Sequence, residues 1–351
     1  MKARSGDLPV DELAENRRRA ECWVVSDGRA GMENQALGLA EAAARLTPLR
    51  VVPKRIVVKA PWRGLPGALW GDPFSHLSPD GALLRPPFPA LWIACGRLTA
   101  PFTLAVKRRD PEVFTVQTQA PRAPLGRFDL VVPPLHDRLS GANVFSIVGS
   151  PGRVTKEALG RDAALLAPTL THLGTPRVAV LIGGANRAYR MTHARAAELA
   201  GALARLADEG AGLMITTSRR TDPAIAQTIR SALGERPHFF WTGGAVSGLS
   251  NPYFGMLGLA DHIMVTRDSV NMAAEAAATG KPVHVISLDR APFSAASAKF
   301  ERFHQALEQR GAARPFTGTL EPWTYPPLEE TQRAAEELVR RFAAARGVAP
   351  A

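Results

Sequence analysis

The residues best suited to chemistry in this sequence follow a buried strand late in the chain. Residues 260–287 have the pattern of an apolar strand, a polar turn, an alanine-rich helix, a Gly-Lys-Pro turn and a second apolar strand. Asp268 and Ser269 lie in the polar turn, and either side chain is suited to cap the helix or to bind a ribose or sugar hydroxyl. In an open α/β sheet this turn lies at the ligand-binding edge, because backbone N–H groups and the positive end of the helix dipole point there.

Glu275 stands among small side chains on the predicted helix. A carboxylate in such surroundings needs a hydroxyl or a cation as its partner. The alternative is a capped helix that carries one exposed glutamate.

Two further turns in the second half of the chain are rich in glycine and arginine. They contain Gly183, Gly184, Arg187 and Arg190 after one predicted strand, and Ser218, Arg219 and Arg220 after the next. Glycine amides and arginine forks both bind phosphate oxygens, so the turns predict a diphosphate site at one edge of a sheet. Taken singly, each arginine is equally well explained as a solvated surface residue. Asn251 and Tyr253, in a loop before a later helix, are candidates to contact a base or a sugar.

A glycine turn also follows the first predicted strand. It contains Gly28 and Gly31, and Asn34 and Gln35 supply hydrogen-bonding groups at the start of the next helix. The turn has neither the dinucleotide fingerprint nor the P-loop lysine, which disfavours a simple NAD or ATP site. Asp27 would face a cleft from the strand end and is a candidate general base, although ordering the turn explains it equally well.

Strands and helices alternate along most of the chain, which predicts parallel sheets covered on both faces. We predict an α/β protein with two Rossmann-like domains facing a central cleft, one over 21–170 and one over 175–320. Residues 1–20 are predicted to form a flexible basic arm, and a C-terminal helix over 328–346 is expected to pack across a domain surface. The last strand predicted for the first half covers residues 144–148.

Composition narrows the class of protein. The chain has 351 residues, of which 46% are hydrophobic and 21% charged, as is typical of a globular enzyme with more than one domain. No apolar run is long enough to cross a bilayer and the N-terminus lacks a signal-peptide core, so we predict a cytoplasmic protein. The net charge of +11 favours anionic partners, whereas scattered arginines and an aromatic share of 7% argue against nucleic acid. Cys22 and Cys95 are predicted core residues, and no cluster has metal-ligand spacing.

The stretch 61–89 differs from the rest because it is rich in proline and glycine and contains Trp62 and Trp70. With Arg55 and Lys59 beside it, the stretch has the composition of a surface that docks on an anionic membrane. The alternative is a loop folded onto its own domain.

Taken together, the motifs resemble the mitochondrial-fission "elongated mitochondria" family, which contains plant proteins and bacterial homologues. They are Ser-Asp-Gly-Arg-Ala-Gly-Met-Glu-Asn-Gln at 26–35, Ile-Gly-Gly at 182–184, Ser-Arg-Arg-Thr at 218–221, Asn-Pro-Tyr at 251–253 and the segment 268–282. The likeness runs from about residue 22 to about residue 320. The second half also resembles the donor-nucleotide domain of GT-B glycosyltransferases, among them the membrane-associated enzyme that adds N-acetylglucosamine to a lipid-linked peptidoglycan precursor.

The likeness to GT-B enzymes implies roles for individual residues. Asp268, Ser269, Met272 and Glu275 would contact the nucleotide-sugar, with Glu275 on the ribose hydroxyls. Gly183, Gly184 and Arg187 would face the diphosphate. The first-half turn of such enzymes usually carries a histidine base, whereas this chain offers Asp27 or Glu33.

Three functions are compatible with these features. The leading hypothesis is a GT-B-type glycosyltransferase without metal or cofactor, which moves a sugar from a nucleotide-diphosphate sugar to an anionic or lipid-linked acceptor while peripherally bound at the cytoplasmic face of the inner membrane. A nucleotide-sugar epimerase would need one more acid-base group and would turn over the donor without an acceptor. A non-catalytic, membrane-associated binding protein of the fission family would keep the second-half site and have an empty first-half cleft.

Overall fold

The computed structural model describes residues 20–291 and 297–347, so the predicted arm lies outside the described residues except for residue 20. The chain divides into two compact units. Unit 1 consists of the residues up to Arg153 together with those from Glu330 onward, and unit 2 is the continuous stretch Val154–Glu329. The division lies ahead of the boundary expected near residues 170–175.

The strands, in chain order, are β1 (Ala20–Ser26), β2 (Leu49–Arg55), β3 (Leu91–Cys95), β4 (Phe114–Thr118), β5 (Leu130–Val132), β6 (Arg177–Ile182), β7 (Tyr189–Arg190), β8 (Gly212–Thr217), β9 (His238–Trp241), β10 (His262–Thr266), β11 (Val283–Ile286), β12 (Asp289–Arg290) and β13 (Ala313–Pro315). The α-helices are α1 (Ala30–Leu46), α2 (Ala100–Arg109), α3 (Lys156–Leu166), α4 (His193–Asp208), α5 (Pro223–Leu233), α6 (Tyr253–Leu259), α7 (Val270–Ala277), α8 (Ser297–Gln309) and α9 (Glu330–Ala345).

Unit 1 is built on a parallel sheet of five strands in the order β2-β1-β3-β4-β5. Strands β3, β4 and β5 are buried along their whole length because they are apolar or β-branched and are covered on both faces. Since the strands are parallel, the turns after β1, β3, β4 and β5 all lie at the same carboxyl edge.

Each face of this sheet has its own core. On one face α1 and α9 pack together over Cys22, with Leu338 and Phe342 of α9 in the same cluster. On the other face Trp92 packs with Phe102 of α2 and with Trp70 from the proline-rich stretch. That stretch is therefore folded onto its own unit, which is the second of the two interpretations offered above.

Unit 2 is built on a parallel sheet of six strands in the order β13-β11-β10-β6-β8-β9, and β7 and β12 form a separate antiparallel pair. Helices α4 and α5 cover one face through Leu199, Leu203 and Ile229, which pack on the apolar strand residues. The two α/β units with parallel sheets agree with the predicted Rossmann-like class.

Several local expectations need correction. Residues 144–148 form no strand and make only isolated bridges, because Pro133 and Pro134 beyond β5 have no N–H to continue a ladder. Helix α1 begins at Ala30, so Gly31 is part of its first turn and not of the preceding loop. Strands β7, β12 and β13 were not predicted.

Candidate functional site

The predicted second-half site residues lie at the carboxyl ends of three neighbouring strands in unit 2. Gly183 and Gly184 follow β6, Ser218 and Arg219 follow β8, and Asp268 follows β10. Because β6 lies between β10 and β8, the three turns meet at one edge of the sheet. The tertiary structure therefore brings together turns that are far apart in the sequence.

Asp268 is the residue that joins these turns. Its side chain is fully buried and accepts hydrogen bonds from Thr266 Oγ1 at 2.7 Å and from Gly184 N at 3.0 Å. Arg220 Nη2 lies 3.0 Å from the same carboxylate. Burial raises the pKa of Asp268, while the bonds from Thr266, Gly184 and Arg220 oppose that rise. The carboxylate thus holds the three turns together.

The two glycines are required by close packing within the protein. A Cβ on Gly183 would lie 2.3 Å from the Asp268 carboxylate oxygens, and one on Gly184 would lie 2.1 Å from the carbonyl oxygen of Arg220. The amide of Gly183 donates to Thr266 Oγ1 at 2.7 Å, as that of Gly184 does to Asp268. Both amides are therefore already bonded, contrary to the expectation that they are available to phosphate.

The arginines of these turns fall into two groups. Arg220 is committed, because it pairs with Asp268 and donates to the carbonyl oxygens of Gly184 and Ala185 at 3.2 and 3.3 Å. Arg187, Arg190 and Arg219 are exposed, and within the described residues their side chains make no hydrogen bond or ion pair. Three guanidiniums at this edge thus have no protein anion beside them, which leaves them able to bind an external one.

Glu275 has the hydroxyl partner that its surroundings require. Tyr253 Oη, at the start of α6, donates to Glu275 Oε2 at 2.8 Å, and Asn251 Oδ1 accepts from Tyr253 N at 3.0 Å. Both side chains of the pair are partly buried. Burial raises the pKa of Glu275 to about 7, against which the hydrogen bond from Tyr253 acts. Three residues predicted as ligand contacts are thus coupled in one group.

The start of α7 has no side-chain cap. Ser269 occupies the cap position, but its hydroxyl accepts no hydrogen bond from the helix, so the capping role suggested for Ser269 or Asp268 is not realised. Ser269 itself is buried, and Met272, one turn into the helix, is partly buried. An uncapped helix start at the carboxyl edge of a sheet presents positive dipole and amide donors to an anion.

Arg267 was not among the predicted site residues, although it directly precedes Asp268. Its Nη2 lies 2.5 Å from Glu301 Oε2 on α8, and Tyr189 Oη donates to Glu301 Oε1 at 2.8 Å. His304 Nε2 donates to the carbonyl oxygen of Arg267 at 2.8 Å. Helix α8 therefore holds both the backbone and the side chain of the residue before Asp268. The partners lie on other elements, and no local pattern identifies them.

The first-half turn is organised by ion pairs. Arg29 Nε donates to Asp27 Oδ2 at 2.8 Å, and the Arg29 amide donates to Asp27 Oδ1 at 3.2 Å. Glu33 is buried and accepts from Arg55 Nε at 2.8 and 3.0 Å. The two candidate catalytic carboxylates, Asp27 and Glu33, are thus each bound to an arginine, and they form no shared acid-base pair.

The remaining predicted residues of this turn have different environments. Gly28 has a φ of +76°, which suits glycine, and Gly31 is exposed. Asn34 is partly buried, whereas Gln35 is buried and accepts from Gln119 Nε2 at 2.9 Å. Gln35 therefore links α1 to the turn after β4.

Two properties of the described residues bear on the site. No helix among residues 20–291 and 297–347 has both the length and the apolar character needed to cross a membrane. Within the same residues, no three His, Cys, Asp or Glu side chains are grouped so that they could hold a metal ion. Cys22 and Cys95 are buried and unpaired, as predicted.

Comparison with known proteins gives a consistent result. The family model described as mitochondrial fission ELM1 matches residues 30–342. The chain is 32% identical over 287 residues to "Mitochondrial fission protein ELM1" of Arabidopsis thaliana, a match that covers 74% of this chain and 65% of the plant protein. It is 25% identical to an uncharacterized protein of Rickettsia prowazekii, covering 90% of this chain and 96% of that protein.

Among solved structures, the fold is similar to that of a putative UDP-N-acetylglucosamine 2-epimerase from Listeria monocytogenes. The TM-score is 0.50 at 12% sequence identity, and the match covers 95% of this chain and 98% of that chain. At this level of identity the likeness is one of fold, and it agrees with the GT-B-like architecture predicted above.

Proposed function

The chain belongs to the mitochondrial fission ELM1 family, and from that premise we propose that it binds a nucleotide-diphosphate sugar in unit 2 and transfers the sugar to an acceptor. The reaction is of the metal-independent GT-B type, and it takes place at the cytoplasmic face of a membrane. The chain spans 65% of the length of its plant relative, so the activity of that whole protein is not assigned to this chain.

The observation that carries this proposal is the Tyr253–Glu275 pair. Tyr253 occupies one carboxylate oxygen, Glu275 Oε2, at 2.8 Å. Oxygen Oε1 retains acceptor capacity, which suits a ribose hydroxyl. A partly buried carboxylate that is oriented by a phenol discriminates strongly in favour of a hydroxyl-bearing ligand, since an empty site leaves a polar group unpaired.

The leaving diphosphate is assigned to the cations of the same edge. Arg187, Arg190 and Arg219 are exposed and have no described protein partner. Together with the uncapped start of α7 they supply positive charge where negative charge develops during transfer, which is the role a metal ion has in other folds. Asp27 is the proposed base, and Arg29 keeps its carboxylate in one orientation.

The test is isothermal titration of the full chain with UDP, GDP, ADP, CMP and dTDP and with their sugar conjugates. We expect one nucleotide class to bind, and Glu275→Gln to weaken binding by about tenfold or more, because it removes a hydrogen bond from a charged acceptor. Glu308→Gln, at an exposed position of α8, is the matched control and should bind as wild type. Failure of every nucleotide to bind would refute the proposal.

Epimerisation of the sugar is the second candidate, and it is favoured by the name of the solved structure that shares the fold. An epimerase turns over the nucleotide-sugar when no acceptor is present, whereas a transferase needs one. Incubating the protein with a bound nucleotide-sugar and analysing the sugar by NMR therefore separates the two. Binding without turnover under any condition would instead favour a non-catalytic binding protein. The ion pairs of Asp27 and Glu33 with arginines are compatible with that function.

A further inference from the structure

The carboxyl edge of the unit 1 sheet carries an arginine after each of four strands that are neighbours in the sheet. These are Arg29 after β1, Arg97 after β3, Arg122 after β4 and Arg138 after β5. Neighbouring strands are about 4.8 Å apart, so the four strand ends span roughly 15 Å. The long arginine side chains can converge on one ligand over that distance.

Contacts between the turns show that they form one continuous surface. A Cβ on Gly96 would lie 3.9 Å from Arg29 Nη2, so the arginine after β1 reaches the turn after β3. Gln119, after β4, donates its backbone N–H to the carbonyl oxygen of Val132 at 3.1 Å and its side-chain amide to Gln35 at 2.9 Å. The turn after β4 is thereby joined to both β5 and α1.

The charge of this edge is not balanced by the protein. Arg122 and Arg138 are exposed and make no side-chain hydrogen bond or ion pair within the described residues. Arg97 donates to the carbonyl oxygen of Arg63 at 3.2 Å, which leaves its charge unpaired. Of these four arginines, Arg29 alone is paired with a carboxylate among the described residues, that of Asp27.

The backbone conformation at two of these positions also favours a binding site. Arg122 and Arg138 both have a φ of +54°, in the left-handed region that glycine adopts without cost and other residues rarely occupy. Arg138 directly follows the one-turn helix Leu135–Asp137, a place where glycine is the usual residue. A chain that keeps arginine at two such positions bears a conformational cost, and strain of this kind clusters at binding sites.

We propose that the carboxyl edge of unit 1 binds a phosphate-bearing acceptor through Arg97, Arg122 and Arg138. Planar guanidiniums hold phosphate oxygens by paired, charge-assisted hydrogen bonds, which suits an edge with unpaired arginines. This inference rests on the proposed function in that it names the class of acceptor, a phosphorylated molecule. Anion binding at this edge, however, does not depend on what unit 2 binds.

The test uses the full chain and the double variant Arg122→Gly/Arg138→Gly. Both are first saturated with the nucleotide that binds unit 2, where one binds, so that the diphosphate site proposed there is occupied, and are then titrated calorimetrically with inorganic pyrophosphate. Glycine fits both backbone positions, so the variant should melt no lower than wild type, while the affinity for pyrophosphate should fall by about tenfold or more. The control is Arg108→Gln/Arg127→Gln, which also removes two exposed arginines. Arg108 lies near the end of α2 and Arg127 lies before β5, so neither belongs to the set of four named above. The control variant should bind as wild type.

Equal affinity in wild type and the glycine variant would overturn the proposal. So would an equal loss in the control, since that would be a general effect of net charge. A loss confined to Arg187→Gln/Arg219→Gln would place pyrophosphate in unit 2 and overturn it as well. Titration with UDP, GDP, ADP, CMP and dTDP separates the two proposals: if none of the five binds while pyrophosphate binding depends on these arginines, the donor site alone is refuted.

Two further arms identify the source of the phosphate. Displacement of pyrophosphate by glucose 1-phosphate supports a soluble sugar phosphate. Co-sedimentation with phosphatidylcholine vesicles that contain phosphatidic acid, lost in the glycine variant, supports a lipid-borne phosphate. If glucose 1-phosphate does not displace pyrophosphate and the vesicles do not bind through these arginines, the proposal of a phosphate-bearing acceptor at this edge is refuted.

Discussion

Glu275 shows how an environment alters a single residue. The small side chains around it exclude water, and this burial raises the pKa of the carboxyl to about 7, although the hydrogen bond from Tyr253 at 2.8 Å acts in the opposite direction. The group therefore changes its charge close to neutral pH. The strength of Glu275 as a hydrogen-bond acceptor therefore depends on pH.

This shift makes a prediction for stability. Because the pKa in the folded protein is raised above the ordinary value of 4.5, the protonated group contributes stability below about pH 4.5, and this is lost as pH rises through 7. Glu275→Gln mimics the protonated form. The difference in free energy of unfolding between Glu275→Gln and wild type should therefore change in favour of the variant by on the order of 2 kcal/mol between pH 5 and pH 8.

Urea unfolding at the two pH values measures this change, with Glu308→Gln as the exposed control. A difference between Glu275→Gln and wild type that stays constant with pH would show that Glu275 is ionised throughout.

At the scale of elements, the site depends on turns that touch each other. Strand order places the turns after β6, β8 and β10 side by side, and Asp268 binds the other two through Gly184 and Arg220. Only a glycine allows the backbones to approach this closely. The turns are thus one unit, and displacement of one should displace the others.

Gly184→Ala tests this dependence. The added Cβ would lie 2.1 Å from the carbonyl oxygen of Arg220, a backbone atom, so the turns must separate. We expect a loss of about 2 kcal/mol or more in the free energy of unfolding, as for other overpacked sites, together with weaker nucleotide binding. Thermal and urea unfolding provide the measurement.

Gly201→Ala is the control for the same chemical change. Gly201 lies within α4, where the nearest atom to an added Cβ is the flexible end of Arg205 at 3.7 Å. Alanine is the better helix former, so this variant should gain about 0.5–1 kcal/mol. If Gly184→Ala and Gly201→Ala changed the free energy of unfolding by the same amount in the same direction, the packing explanation would be wrong.

For the whole molecule, the decisive feature is that unit 1 uses both ends of the described chain. Helix α9 packs on α1 and places Leu338 and Phe342 in the core over Cys22. Glu330 Oε2 also accepts from the amide of Val148 at 2.7 Å. Unit 2, in contrast, is one continuous stretch.

Truncation after residue 329 should therefore unfold unit 1 and leave unit 2 folded, and a fragment of residues 154–329 should unfold cooperatively by itself. Calorimetry of the full chain, the truncated chain and the fragment tests this. Leu338→Ala is the milder variant and should cost about 2–5 kcal/mol, whereas Glu336→Ala, at an exposed position, should be nearly neutral. Retention of unit 1 structure without α9 would contradict the packing assignment.

Local pattern was sufficient for the strands that are buried on both faces. The strands Arg177–Ile182, Leu130–Val132 and Val283–Ile286 can be recognised from sequence, because each is a short apolar run with a polar residue or a proline at its ends. The parallel α/β class follows from the same alternation. Residues 144–148 have an equally good local pattern, but Ile147 faces Pro134, which has no N–H to extend the pairing that begins between Val131 and Val144. The identity of the partner residues therefore overrides local strand propensity here.

The sequence by itself determined the parallel α/β class, most strands and helices of the two sheets, and the turns in which polar groups lie. Only the tertiary structure decided what those groups do. Tyr253 meets Glu275, Arg220 meets Asp268 and Glu301 meets Arg267 through strand order and helix packing, which no local pattern encodes. For the same reason only the structure shows that Arg220 is already paired, whereas Arg187 has no partner in the part of the chain that the structure describes. Charge and hydrogen bonding depend on distances in space, whereas periodicity reports only on neighbours along the chain.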